Sequence, residues 1–134
     1  MIPKFRAWLP TLKWMCEVTV IDYDLRSVDI CRIEDVARHT EMRVDKDEVV
    51  LMQSTGIKDK NGTEIFEGDV VRLLDSLYTV FYDSEKGSYR LKPHDDRWVT
   101  DYMSNFSHGG NFEVVGNIFE GKERGIYDYY QYKS

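Results

Sequence analysis

Short runs in which apolar and polar residues alternate recur along most of the chain, with turn-forming residues between them. Residues 4–8 alternate in this way, residues 13–21 end in a β-branched run, and residues 26–33 alternate again. A period of two places every second side chain on the same face of a strand. The pattern therefore predicts a mainly β protein whose strands are joined by tight turns.

Three glycines divide the stretch 51–72 into short segments, because Gly56, Gly62 and Gly68 recur every six residues. Glycine adopts positive φ at no steric cost, so we interpret all three as backbone turning points. We expect Gly68 to supply a left-handed residue before a buried, β-branched strand at 70–74.

The dipeptide Asn61-Gly62 predicts a β-hairpin, because both residues tolerate the positive φ of a tight hairpin turn. A two-residue loop would place Asp59 directly opposite Glu64, where like charges repel. A longer loop from Asp59 to Gly62 avoids that pair. The hairpin is thus predicted, and its register is left open between these two loops.

Further elements follow on both sides of this stretch. They are a loop with about one helical turn at 34–47, a turn at Asp75 and Ser76, strands at 77–82, 88–92 and 112–119, and a bend at Gly116 and Asn117. The stretch 97–107 has aromatic residues at spacings that suit a helix face and a strand equally, so both remain open there.

The charge balance of the chain bears on its partners. The 134 residues carry a formal net charge of −6, and both halves of the chain are acidic. Nonspecific binding to duplex DNA depends on neutralising phosphates with basic residues, so it is disfavoured. A protein or another basic surface is the better match for this charge.

Cys16 and Cys31 are far from any C-x-x-C spacing, and each lies among apolar residues. We expect free, buried thiols in a reducing compartment. The first six residues lack the apolar region of a secretory signal, and no apolar run approaches membrane-spanning length. These features predict a cytoplasmic chain without membrane association.

No combination of residues predicts a metal or cofactor, so we expect none. The histidines His39, His94 and His108 lie in separate predicted loops. His94 and the two aspartates after it fit a solvated turn. A calcium-binding loop around the Asn-Gly hairpin is excluded as an interpretation. Its first and twelfth ligand positions would fall on Ile57 and Gly68, which carry no carboxylate.

The sequence offers three candidate binding residues and no catalytic residue. Arg6 and Trp8 are of the types favoured at interaction hot spots. The alternative is that Trp8 packs in the core and Arg6 pairs with an acid. Asp69 is the third candidate, although Glu64, Glu67 and Asp69 need no more than a role in strand edges and turns.

Three blocks resemble the YopX family of phage and prophage proteins of unknown function: residues 5–8, 52–71 and 112–120. They occur in the family's order and span most of the chain. The departures are mild: the family usually has an aromatic residue at Ser54, Leu at Ile57, and Tyr at Phe66 and Phe119. The last 14 residues have no counterpart that we can place.

This resemblance implies a small SH3-like β-barrel with an additional N-terminal β portion and at most one or two short helices. One domain, 1–134, would divide into an N-terminal β subdomain 1–48, a barrel core 49–120 and an aromatic tail 121–134. It further implies a phage-encoded accessory protein of the host cytoplasm, with no established activity and no catalytic residues to transfer.

Two functions remain open. The first is a non-catalytic module that binds a host or phage protein, or a second copy of itself through the tyrosine-rich tail. The second is a small enzyme or binding protein that acts on nucleotides or nucleic acid, which would need a pocket with convergent titratable groups.

Overall fold

Eleven strands and one short 3-10 helix account for most of the described chain. The computed structural model describes residues 4–33, 41–95, 97, 99–103 and 111–120. The strands are β1 Phe5–Leu9, β2 Trp14–Asp22, β3 Ser27–Arg32, β4 Glu41–Asp45, β5 Val50–Lys58, β6 Glu64–Phe66, β7 Asp69–Leu73, β8 Ser76–Asp83, β9 Ser88–Pro93, β10 Asp101–Tyr102 and β11 Phe112–Asn117, and the 3-10 helix is Lys46–Glu48. The predicted mainly β class is confirmed.

The chain divides into two compact units, one ending at Gln53 and one beginning at Ser54. In the first unit the strands follow the order β4-β3-β2-β1-β5, and all of the pairings are antiparallel. Strand β5 continues into the second unit, where it pairs with β6.

One face of the first sheet carries the core of that unit. Ala7 and Leu9 of β1, Cys16 of β2, and Val28 and Ile30 of β3 are all buried on this face. The spacing of two along each strand explains why they meet. The sequence pattern of alternating residues therefore becomes the packed side of the sheet.

The second unit is built on a sheet of order β10-β9-β8-β7-β11, again antiparallel. Its core contains Val71, Val80, Leu91 and Phe112, each fully buried. Within the described ranges, the pairings do not close either sheet into a barrel, so the SH3-like barrel stays a prediction.

The Asn-Gly hairpin exists, but the two-residue register is wrong. Lys58 pairs with Glu64, which leaves the longer loop from Asp59 to Thr63. Only Gly62 in this loop has positive φ, at 83°. The Asp59 side chain accounts for the longer loop, because its Oδ1 accepts hydrogen bonds from the backbone N–H groups of Asn61 and Thr63.

Gly68 adopts the left-handed conformation that the sequence predicts, with φ of 84°, and the strand after it is buried. The end of that strand differs from the prediction. Leu74 leaves the strand, adopts a φ of 57° and is 86% exposed, so the turn is Leu74-Asp75 rather than Asp75-Ser76. Ser76 instead pairs with Leu73.

The expectation of a loop over 34–47 is wrong for its second part. Strand β4 occupies Glu41–Asp45, and the 3-10 helix follows it. Met42 and Val44 point to the core while the intervening residues are charged and exposed. The high charge of this edge strand makes the alternation of its two inward residues hard to recognise in the sequence. Residues 34–40 lie outside the described part.

The ambiguous stretch 97–107 contains the two-residue strand β10, which pairs with β9. Residues 104–107 lie outside the described part, as does the tyrosine-rich tail 121–134. Strand β11 begins at Phe112 as predicted and contains a bulge between Val114 and Gly116.

Candidate functional site

A difference in length between β1 and β2 creates an open stretch of strand. The pairing of β1 with β2 begins at Leu9 opposite Trp14 and ends at Arg6 opposite Glu17. Strand β2 continues to Asp22 and stays paired with β3 on its other side. Among the described residues, therefore, the β1 side of β2 has no strand partner beyond Glu17.

A surface groove of about 520 Å³ lies along this overhang. It is lined by Lys4 and Phe5 at the start of β1, by residues 18–21 of β2, and by Tyr23 in the following hairpin. We call it the β2 groove. Most of its lining is apolar, so it offers a concave apolar surface beside an unpaired strand edge.

Exposed apolar side chains concentrate next to this groove. Val20 is 48% exposed, Tyr23 76% and Leu25 63%. Isolated exposed apolar residues are ordinary, but a group of three within six positions beside a groove is a feature of interaction surfaces. The β2–β3 hairpin that carries them is fixed by Asp22, whose Oδ1 accepts the backbone N–H groups of Asp24 and Leu25 at 3.0 Å each.

A bulge gives the two faces of β2 different chemistry at the groove. The register with β3 shifts between Val18 and Val20, so Thr19 is the extra residue. Its hydroxyl is 2.8 Å from Glu41 Oε1 and 3.2 Å from the carbonyl oxygen of Asp29. Val18 packs against the first core on the opposite face.

Arg6 and Trp8, two of the sequence candidates, are buried. Trp8 is 6% exposed and Arg6 9%. The register places Arg6 directly between Glu17 of β2 and Met52 of β5. Both residues are therefore buried in the sheet that carries the β2 groove, and neither lines the groove itself.

Asp69, the third candidate, is 1% exposed. Its Oδ2 accepts the backbone N–H of Phe66 at 2.8 Å, which fixes the turn containing Gly68. Arg6 and Trp8 belong to the first unit, and Asp69 belongs to the second.

His94 forms a contact that the sequence did not predict. Its Nε2 lies 2.8 Å from Thr79 Oγ1, and its backbone N–H donates to the carbonyl of Leu77. Burial, with a smaller effect of Lys92, lowers the pKa of His94 below its usual value. The ring is therefore predominantly neutral at pH 7. His39 and His108 lie outside the described residues.

The asymmetry between β1 and β2 is visible in the sequence once it is sought. A turn around Pro10 to Lys13 places Leu9 opposite Trp14. From that pair, the first alternating run extends back only to about Phe5, whereas the run of β2 extends to Asp22. An overhang of β2 could therefore have been predicted. The exposure of Tyr23 and Leu25 could not, because nothing local distinguishes them from core residues.

The described part of the chain contains no group of three or more His, Cys, Asp or Glu side chains arranged to hold a metal ion. Nor does it contain a helix with the length and hydropathy needed to cross a membrane.

The architecture defines an antiparallel β protein of two sheets, with an overhanging strand beside a groove. The model of the YopX family, described as YopX protein, matches residues 4–124, and the chain belongs to this family. The match confirms the family resemblance carried by the three sequence blocks.

Among solved structures, the chain is similar to the crystal structure of protein EF1440 from Enterococcus faecalis. The two share 32% sequence identity with a TM-score of 0.58, and the alignment covers 92% of this chain and 98% of that one. The comparison with curated proteins finds no match.

Proposed function

We propose that this YopX-family protein is a non-catalytic accessory protein that binds a protein partner in the β2 groove. The observation that carries the proposal is the coincidence, within the described ranges, of a strand edge without a strand partner, an apolar groove and three exposed apolar side chains. Exposed apolar surface is costly to leave in water, an open strand edge can pair with another chain, and a bound partner would cover all three features.

The energetic case rests on the exposed side chains and the strand edge. Burying the exposed part of a side chain such as Val20 or Tyr23 contributes roughly 25 cal/mol for each Å² of apolar surface. An open strand edge adds unpaired N–H and C=O groups, which natural proteins usually cover or protect. Together these features provide both affinity and a defined register for a partner.

The net charge of −6 favours a partner with a basic surface over a nucleic acid. Family membership supports a phage-encoded origin and a place in the host cytoplasm, and we include both in the proposal. We also retain, as part of the same proposal, the closure of the barrel core expected over residues 49–120 into an SH3-like barrel.

Arg6 and Trp8 contribute to this function from inside the sheet. Arg6 is buried between Glu17 and Met52, and Trp8 is buried between Met15 and Val50. Both therefore hold β1 against its neighbouring strands. Asp69 serves the turn of the second unit in the same supporting way. We therefore expect the partner to contact the exposed groove residues and not these three.

Site-directed photocrosslinking in bacterial cells tests the proposal. A photoreactive phenylalanine analogue at Tyr23 is compared with the same analogue at Leu74, which is 86% exposed in the second unit. We expect a specific adduct from the Tyr23 position alone, and its loss when Val20→Asp is added. The captured protein is then purified and its binding to both forms measured by calorimetry.

The result that contradicts the proposal is equally defined. Identical adducts from the two positions, or adducts that survive Val20→Asp, would show that the β2 groove is not the binding surface. Val20 is half exposed, so the substitution is expected to leave the fold intact, which thermal unfolding checks.

A further inference from the structure

Asn61 differs from the other asparagines of the chain because glycine follows it. The sequence has four asparagines, and the other three precede phenylalanine or isoleucine. An Asn-Gly pair deamidates readily, since glycine has no side chain to obstruct attack of its backbone nitrogen on the asparagine side chain. We propose that Asn61 is a site of spontaneous deamidation, and that hydrogen bonds around Asp59 suppress the reaction until the hairpin loop opens.

The reaction needs water as its only co-reactant. The backbone nitrogen of Gly62 loses its proton and forms a bond to Cγ of Asn61, and the side-chain amide nitrogen leaves as ammonia. The cyclic succinimide that results adds water at either of its carbonyl groups and opens to aspartate or isoaspartate. In sum, an amide and a water molecule give a carboxylate and an ammonium ion, so no oxidation or reduction takes place.

The surroundings of the pair leave it open to water. Asn61, Gly62 and Thr63 are all exposed. Apart from the adjoining residues, a Cβ atom built at Gly62 would meet no atom within 4 Å. Access of water therefore does not limit the reaction, and any restraint must come from the backbone of the loop.

Hydrogen bonds supply that restraint. The N–H of Gly62 donates to the carbonyl oxygen of Asp59 at 3.0 Å. The N–H groups of Asn61 and Thr63 donate to Asp59 Oδ1 at 2.8 and 2.9 Å. The Gly62 nitrogen must release the proton that its hydrogen bond engages, and must turn towards Cγ of Asn61 to come within bonding reach. Both changes require the loop to open.

Modification would also remove the arrangement that suppresses it. Isoaspartate carries the main chain through the former side chain, which adds one carbon atom to the backbone before Gly62. The N–H groups of Gly62 and Thr63 would then no longer match the positions of the Asp59 oxygens. Because Asp59 also ties the loop to β11 through Val114, the isoaspartate form should be less stable than the original chain.

Peptide mapping by mass spectrometry, with detection of isoaspartate, tests the proposal in mildly alkaline buffer. We expect Asn61 to deamidate at least about tenfold more slowly in the folded protein than in denaturant, because the folded loop opens only transiently. Asn117, which precedes Ile118, is the internal reference and should stay unmodified in both states. Equal rates at Asn61 in the two states, or no reaction in denaturant, would overturn the proposal.

Two variants separate opening of the loop from general instability. Asp59→Ala removes the side-chain hydrogen bonds that hold the loop, and should accelerate deamidation of the folded protein at least about fivefold. Val80→Ala creates a cavity in the core of the same unit and leaves the loop contacts in place, so the rate should stay that of the original chain. Equal acceleration by both variants would show that global unfolding exposes the site, and would overturn the role of Asp59.

A measurement on the unaltered protein does not depend on whether either variant folds. At urea concentrations below the unfolding transition, the deamidation rate of Asn61 should rise in proportion to amide exchange at Gly62, because one opening controls both. A deamidation rate that stays constant while exchange at Gly62 increases would overturn the proposal.

Discussion

Oδ2 of Asp59 accepts a hydrogen bond from the backbone N–H of Val114 at 2.9 Å, across 55 positions of sequence. The other carboxylate oxygen accepts the N–H groups of Asn61 and Thr63 at 2.8 and 2.9 Å. One side chain, 6% exposed, therefore organises the hairpin loop and also ties it to β11. The backbone N–H of Lys60 adds to this link by donating to the carbonyl of Phe112 at 3.0 Å.

Replacing Asp59 should destabilise the second unit markedly. Asp59→Ala removes three charge-assisted, partly buried hydrogen bonds, so we expect the free energy of unfolding to fall by about 3 kcal/mol. Urea denaturation measures the change. Glu85→Ala, in an exposed loop of the same unit, should change it by less than about 0.5 kcal/mol. A loss no larger than that of the control would contradict the role of Asp59.

The stability that Asp59 supplies should depend on pH. Burial alone raises the pKa of this carboxyl, but the hydrogen bonds from Val114, Thr63 and Asn61 outweigh burial, so the pKa falls below its ordinary 3.8. A depressed pKa stabilises the fold above the unfolded value, and that contribution disappears as pH falls through the folded pKa.

The measurement is the stability difference between the protein and Asp59→Asn as a function of pH. We expect a constant difference between pH 5 and 7 and a shrinking one below about pH 4. Asp83 and Asp95, whose pKa values are also lowered by hydrogen bonds from Arg90 and Arg97, stay in both proteins and cancel. A difference that grows at low pH would contradict the sign.

The hairpin shows how far local sequence determines this fold. Asn61-Gly62 predicts that the chain reverses, and it does, because turn chemistry is local. The register depends on Asp59, whose third hydrogen-bond donor lies on β11. No spacing within the hairpin indicates such a partner. The sequence therefore limits the loop to two possible lengths but does not decide between them.

The groove shows the same division between local and distant information. The alternating runs predicted the strands that form it, and burial of Val70, Val71 and Leu73 was predicted equally well from β-branched composition. The point at which β2 extends past β1 depends on how the two alternating runs align with each other. The contact of Thr19 with Glu41 depends on β4, an edge strand whose charges conceal its alternation.

Leu74 offers a stabilising substitution. It is a non-glycine residue with φ of 57°, and it is 86% exposed at the β7–β8 turn. Asparagine tolerates this region better than leucine, so Leu74→Asn should raise the free energy of unfolding by up to about 1 kcal/mol. Leu74→Ala is the matched control, because it removes the exposed apolar surface and keeps the backbone penalty. A gain from alanine equal to that from asparagine would exclude the backbone explanation.

The two cysteines should be unreactive in the folded protein. Burial, with a smaller effect of Cys31, raises the pKa of Cys16 to about 11, and both thiols are buried and free. Cys16 lies opposite Arg32 and Cys31 opposite Glu17, so the two side chains point to opposite faces of the sheet and should not form a disulfide.

A thiol reagent at pH 8 checks this expectation. We expect both thiols to react only after denaturation, and Leu74→Cys to add one fast-reacting thiol in the folded protein. Rapid labelling of Cys16 or Cys31 without denaturant would contradict the burial on which the expectation depends.

Arg90 should control the attachment of β10, a strand of only two residues. Its guanidinium donates to Asp83 Oδ2 at 3.1 Å and to the carbonyl of Thr100 at 3.3 Å, and its Cζ lies 4.7 Å from the centroid of the Tyr102 ring. The planar fork of arginine makes these contacts at the same time, which the point charge of lysine cannot do. Arg90→Lys should therefore release β10 while leaving the core sheet in place.

Amide hydrogen exchange by NMR distinguishes this local effect from general destabilisation. We expect residues 100–103 to exchange at least tenfold faster in Arg90→Lys, with protection in β8 reduced by no more than about 1 kcal/mol of unfolding free energy. Lys92→Ala, on the same strand and exposed, serves as the control. If residues 100–103 kept their protection, pairing with β9 and the burial of Met103 would be sufficient to hold β10, and Arg90 would have no anchoring role.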